Sequence, residues 1–124
     1  MFKWHIILIA LAAMCLFAPP ASARLHPHGR FFAKASWYGG GEKLNALTKS
    51  GEVFRADGLT CAHRHLPIGT RLLVSRGNRS VIVTVNDRGP AAWTGRSLDV
   101  SRGAAVRLGL IESGVGRVRV ALIN

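Results

Sequence analysis

Glycine placement limits this chain more than any other feature. All 14 glycines lie beyond residue 28, scattered between short apolar runs and not gathered in a linker. Glycine removes the steric cost of tight turns, so a chain interrupted this often must turn back on itself every few residues. The pattern points to a turn-rich β fold.

The first 23 residues are of another kind. Lys3 supplies a positive start, residues 6–17 supply an apolar stretch, and Ala21-Ser22-Ala23 has the small-x-small form of a cleavage site. Pro19 and Pro20 end the stretch short of the ~20 residues that a spanning helix requires. The expected organisation is a signal peptide over 1–23, a polar lead-in over 24–32 and one domain over 33–124. Cleavage would leave 124 − 23 = 101 residues, enough for one modest core. The protein is read as exported, to the periplasm or cell envelope. Cys15 follows Met14, whereas a lipid-modified cysteine follows a small residue, so no lipid anchor is expected. Loss of Cys15 leaves Cys61 without an internal partner. It is read as a small core residue, the other reading being a nucleophile beside His63.

Lys and Arg number 17 against 6 acids, a net charge of +11, and without Lys3 the balance is 16 − 6 = +10. Such a surface attracts anions. The arginines are spread along every element and form no basic block interleaved with aromatic residues, so nucleic acid is not the expected partner. Anionic envelope polymers or lipid headgroups suit an exported chain better, and the protein is read as a monomer.

Phe32 to Tyr38 alternates as a strand does. Gly51 to Phe54 is expected to return as a short strand, and Ala56 to Leu66 to be a loop holding one helical turn. Arg71 to Ser75 and Ser80 to Val85 form the safest strand pair, joined at Gly77-Asn78. Asn86 to Pro90 concentrates turn formers directly after it. Ser101 is placed to cap a helix over Arg102 to Leu108, with Gly109 at its end. Gly116 to Ile123 sets Val118, Val120 and Leu122 against Arg117 and Arg119, a closing strand with one basic side. Short strands, many turns and one small helix imply a compact barrel.

The acids after residue 23 are Glu42, Glu52, Asp57, Asp87, Asp99 and Glu112. Asp87 ends a β-branched run and enters a Gly-Pro turn, which puts its carboxyl at a barrel mouth beside apolar walls, a setting that suits a proton donor. An aspartate there can also simply accept hydrogen bonds from its own turn. Asp99 lies near a helix start, where capping or pairing with Arg88 is expected. His26 and His28 have no third ligand nearby, no zinc pattern of Cys and His exists, and Gly39-Gly40-Gly41 lacks the Lys-Ser/Thr of a phosphate loop. Neither metal nor cofactor is expected.

Five blocks occur in order: Ala35-Ser36-Trp37-Tyr38-Gly39; Thr48-Lys49-Ser50-Gly51-Glu52-Val53-Phe54; Leu59 through Thr70 with Cys61-Ala62-His63-Arg64-His65; Val85-Asn86-Asp87-Arg88-Gly89-Pro90; and Gly95-Arg96-Ser97-Leu98-Asp99-Val100-Ser101. Together they make the chain resemble the rare lipoprotein A (RlpA)-like family, septal-ring lytic transglycosylases. The resemblance implies a mainly β fold, a six-stranded double-psi β-barrel with one or two short helices. It implies cleavage of peptidoglycan glycan between N-acetylmuramic acid and N-acetylglucosamine, preferably on strands stripped of stem peptides, leaving 1,6-anhydro ends. Carried over by motif, the catalytic group is Asp87, Glu52 and His63. Tyr38, Arg88, Trp93 and Asp99 are assigned to the substrate groove, Arg88 chiefly as a brace for its loop and Trp37 to the core. The chain departs from the family pattern at Ala91-Ala92, where an aromatic residue usually follows Gly-Pro, in its shorter 76–79 hairpin, and at Lys49, where a small residue is usual. The other function this barrel offers is non-catalytic, an expansin-like module that binds or loosens wall glycan. A third, an inverting endoglucanase, would need two carboxyls ~6.5–9.5 Å apart.

Overall fold

The structure, a computed structural model, describes residues 29–40 and 47–123. The expected signal peptide, His26, His28 and Glu42 lie outside them. Six strands close a barrel: β1 (Arg30–Tyr38), β2 (Thr60–Ala62), β3 (Arg71–Arg76), β4 (Arg79–Asp87), β5 (Leu98–Ser101) and β6 (Val115–Leu122). Their order around it is β1-β5-β2-β4-β3-β6, closing back onto β1. The pairs β1/β5 and β2/β4 run parallel and the others antiparallel. A helix, α1 (Arg102–Leu108), follows β5, and a 3-10 turn spans Ala92–Thr94.

Alternation decides which side of each strand faces inward. Along β4, Val81, Val83 and Val85 point in; Leu72 and Val74 of β3, Val118 and Val120 of β6, and Leu98 and Val100 of β5 meet them. β-branched residues fit such a pleated, half-buried surface. Ala104, Ala105 and Leu108 of α1 complete the core, and Trp37 packs against it from its edge. The β3–β4 hairpin is in register from Arg71 opposite Thr84 to Arg76 opposite Arg79. Gly77 turns it at φ 59°, a backbone angle that a side chain would resist.

Helix α1 begins and ends where the sequence placed it. The Ser101 hydroxyl accepts the Ala104 N–H, and Gly109 closes the helix at φ 65°. Arg76 then donates to the carbonyls of Leu108 and Gly109 at 3.3 and 2.8 Å, where a cation meets the negative end of the helix.

Some local expectations fail. The 56–66 segment holds β2 instead of a helical turn, and Leu98–Ser101 is a strand that its sequence did not announce. Both are short and take their conformation from neighbours: β2 is hydrogen-bonded to β4 on one side and β5 on the other. Gly51 to Phe54 makes only one bridge, Val53 with Leu47. β1 starts at Arg30, inside the expected lead-in, and β4 continues through Asn86 and Asp87 before the turn begins.

Candidate functional site

Asp87 and the loop that carries Glu52 are joined at the C-terminal end of β4. Asp87 is its last residue, and its Oδ1 accepts the backbone N–H groups of Arg88 at 2.9 Å and of Lys49 at 3.1 Å. The second bond ties β4 to the Thr48–Glu52 loop, which is fastened again where Ser50 N–H donates to the Asn86 carbonyl at 3.1 Å. Within that loop the Ser50 hydroxyl donates to Glu52 Oε1 at 3.1 Å and meets the Thr48 hydroxyl at 2.8 Å. One small loop therefore positions both carboxylates, holding Asp87 by its backbone and Glu52 by a serine.

His63 follows β2 and joins the group through its backbone, its N–H donating to the Asp87 carbonyl at 3.2 Å. Its ring is fixed as well: Nδ1 accepts the N–H groups of His65 and Leu66, both at 3.0 Å, so the ring proton belongs on Nε2. Burial, and after it the charges of His65, Arg64 and Arg88, hold the imidazole below its usual range. The neutral ring is thus the form suited to this site.

That depression has a consequence for stability. The unfolded chain takes up a proton near the ordinary imidazole pKa of ~6.5 while the folded protein resists it. The contribution of His63 to stability is therefore intact above ~6.5 and declines as the pH falls below it. His63→Asn, whose amide oxygen can accept the same two N–H bonds, should shrink the drop in urea midpoint between about pH 7.5 and about pH 5.5. An unchanged drop would show that other groups set the acid response.

Arg88 takes the bracing role, its guanidinium donating to the carbonyls of His63 and Leu66. Arg64 braces the next segment, donating to the carbonyls of Pro90 and Arg96 at 2.8 and 2.7 Å. Asp99 accepts from the Ser36 hydroxyl at 2.9 Å, and the same hydroxyl receives Arg96. In place of a cap for α1, Asp99 links β1 to β5. Tyr38 ends β1 with its hydroxyl 3.4 Å from that of Thr60 and its ring 5.4 Å from Phe54. Burial raises its pKa well above the usual phenol range, so it serves as a neutral hydroxyl. Cys61 is fully buried and burial pushes its thiol up to about 12, which removes the nucleophile reading because the thiolate is the reactive form. Trp93 stands on the 3-10 turn, 88% exposed, and no hydrogen bond or ring contact among the described residues joins it to the carboxylates.

Beside Glu52 opens a cleft of about 290 Å³, lined by Glu52, Val53, Arg55, Gly58, Thr60 and Asn86. Ser50, Arg55 and Asn86 were not singled out from the sequence. Asn86 is 4% exposed and its Oδ1 has no hydrogen-bond partner among the described residues. The signal for Ser50 and Asn86 was proximity in sequence, since Asn86 adjoins Asp87 and Ser50 stands two positions before Glu52. Arg55 had none. No group of three or more potential metal ligands occurs among the described residues.

Barrel and cleft together define a double-psi β-barrel carrying two carboxylates and a histidine at one end. Residues 31–120 match the family described as lytic transglycolase, and the chain belongs to that family. It is 50% identical over 79 residues to the endolytic peptidoglycan transglycosylase RlpA of Pasteurella multocida (62% of this chain, 26% of the relative), and 44% identical over 92 residues to its namesake from Campylobacter jejuni (73% and 33%). The chain thus spans between a quarter and a third of the length of these relatives. The Streptomyces papain inhibitor shares the fold at a TM-score of 0.63 and 17% identity, covering 82% of this chain and 100% of that one.

Proposed function

We propose that the protein is an exported peptidoglycan lytic transglycosylase, acting in the cell envelope between N-acetylmuramic acid and N-acetylglucosamine on peptide-poor glycan and leaving 1,6-anhydro ends. The observation that carries this reading is the loop 48–52, which grips the Asp87 carboxylate through the Lys49 N–H and carries Glu52 at the edge of an open cleft. The names of the relatives, which specify peptidoglycan transglycosylases, support it.

Glycosidic cleavage needs a proton delivered to the leaving oxygen as oxocarbenium character develops. Among the described residues the hydrogen bonds accepted by the Asp87 carboxylate fall on Oδ1, which leaves Oδ2 as the oxygen to exchange a proton with substrate. In lytic cleavage the 6-hydroxyl of the sugar attacks the anomeric carbon, and the same carboxylate takes the proton of that hydroxyl back. No enzyme nucleophile is required, and Cys61 is not available as one. Glu52, held by Ser50, orients the sugar across the cleft, and the His63 Nε2–H is a neutral donor for a sugar oxygen. Tyr38 lies beside the cleft through Thr60. Trp93 offers a flat face to a more distant ring.

Mass spectrometry of purified peptidoglycan, intact and denuded, after incubation with the protein tests the reading. Anhydro-muramoyl products, more abundant from denuded strands, are expected, and Glu52→Gln should yield fewer of them with a smaller loss than substitution of the acid. Products carrying one added water would make the protein a hydrolase. Intact polymer together with measurable glycan binding would make it the expansin-like module.

A further inference from the structure

The outward side of β1 and β6 is a second surface that the cleft chemistry does not use. Arg30, Phe32 and Lys34 face out along β1, and Arg117 and Arg119 along β6. The register sets Phe32 opposite Arg119 and Lys34 opposite Arg117, and the Arg117 guanidinium lies 4.2 Å from the centre of the Phe32 ring. The apolar part continues around the barrel, with Leu73 of β3 paired to Ala121 and to Ile82 of β4. Phe32 is 60% exposed and Ile82 42%. Two hollows of about 440 and 420 Å³ adjoin Phe32, one rimmed by Arg30 and Arg119, the other by Lys34 and Arg117.

The charge here is of one sign. β1, β3 and β6 contain no acid, and the ion pair found among the described residues, Arg102 with Asp57, lies elsewhere. We propose that this face docks the protein peripherally on a bilayer containing anionic phospholipid. A soluble anionic polymer would satisfy the guanidinium and ammonium groups but leave Phe32 and Ile82 in water. The headgroup boundary of a bilayer accommodates both, basic groups at the phosphates and apolar side chains just beneath them. No helix among the described residues is long and apolar enough to cross a membrane. In the ring of strands β6 stands three places from β2 in either direction. The cleft, bordered by Thr60 of β2 and Asn86 of β4, shares no lining residue with the two hollows of the docked face. The proposal stands whether or not the cleft is catalytic.

The test is co-sedimentation of the exported protein, isolated after expression in a bacterium, with vesicles of phosphatidylcholine alone or with about one-third phosphatidylglycerol. Binding to the anionic vesicles and not to the neutral ones is expected. Each basic side chain at such a surface is worth a factor of about five in partitioning. The triple variant Arg30→Gln, Lys34→Gln, Arg119→Gln should thus lose about a hundredfold, while Arg79→Gln, Arg102→Gln, Arg107→Gln, with the same net charge, should stay near the parent. Phe32→Ser, which keeps every charge, should lose about tenfold. Thermal melts check that each variant is folded. Equal losses in the two triple variants, equal binding to neutral vesicles, or no binding to anionic ones would overturn the proposal. So would displacement by soluble polyglutamate combined with indifference to Phe32→Ser, which would identify a polymer as the partner.

Discussion

Asp87→Asn should leave a folded protein whose glycan cleavage has fallen by ~10²-fold or more, the usual scale of a lost general acid. The amide is a close isostere, and its oxygen can still accept the N–H groups of Lys49 and Arg88 that now reach Oδ1. The loop should stay fastened and the melting temperature should stay near that of the parent. What disappears is a second oxygen able to give and take a proton. Turnover of denuded glycan by the two proteins, followed as released anhydro-muropeptides, is the measurement. Near-normal turnover by a folded Asp87→Asn protein would remove Asp87 from the mechanism.

Ser101→Ala should produce the largest loss of stability from so small a change. The Ser101 hydroxyl is fully buried and makes three contacts: it caps α1 at Ala104 N–H, accepts the Thr60 N–H at 3.3 Å, and donates to the Gly58 carbonyl at 2.5 Å. Loss of a helix cap costs ~1 kcal/mol, and a buried backbone group left unpaired costs ~1–3 kcal/mol. A total of roughly 2–4 kcal/mol follows, which at ~4–8 °C per kcal/mol for a domain of this size lowers the melting temperature by roughly 8–32 °C. A shift of only a few degrees would show that the barrel relaxes around the missing oxygen. Gly58 and Thr60 line the cleft, so the variant should also bind glycan less well.

Ser101 shows what a sequence can and cannot reveal. Its role as a cap was legible because capping is local: a serine, an apolar helical face and a terminal glycine lie within one short segment. Its bonds to Gly58 and Thr60 were not legible, since they join residues about forty positions apart through a fold that had first to be known. The same division runs through the barrel. β3, β4, β6 and α1 announce themselves by periodicity and turn residues, whereas β2 and β5 are too short to have a period and exist because their neighbours supply hydrogen-bond partners. In the site, Asp87, Glu52 and His63 were reached through ordered motifs, and the joining of their segments at the end of β4 is a product of topology. Arg55 carries no motif of its own and enters only with the cleft.

The Lys49–Asp87 hydrogen bond also bears on how sequences of this kind can drift. Asp87 is held there by a main-chain N–H, a group that every residue except proline possesses. The lysine side chain therefore contributes nothing to the grip on the carboxylate; it only adds an exposed charge. Position 49 is legible to the fold by its backbone alone. Its side chain is free to be recruited for tuning which polymer approaches, without any cost to the geometry of the acid.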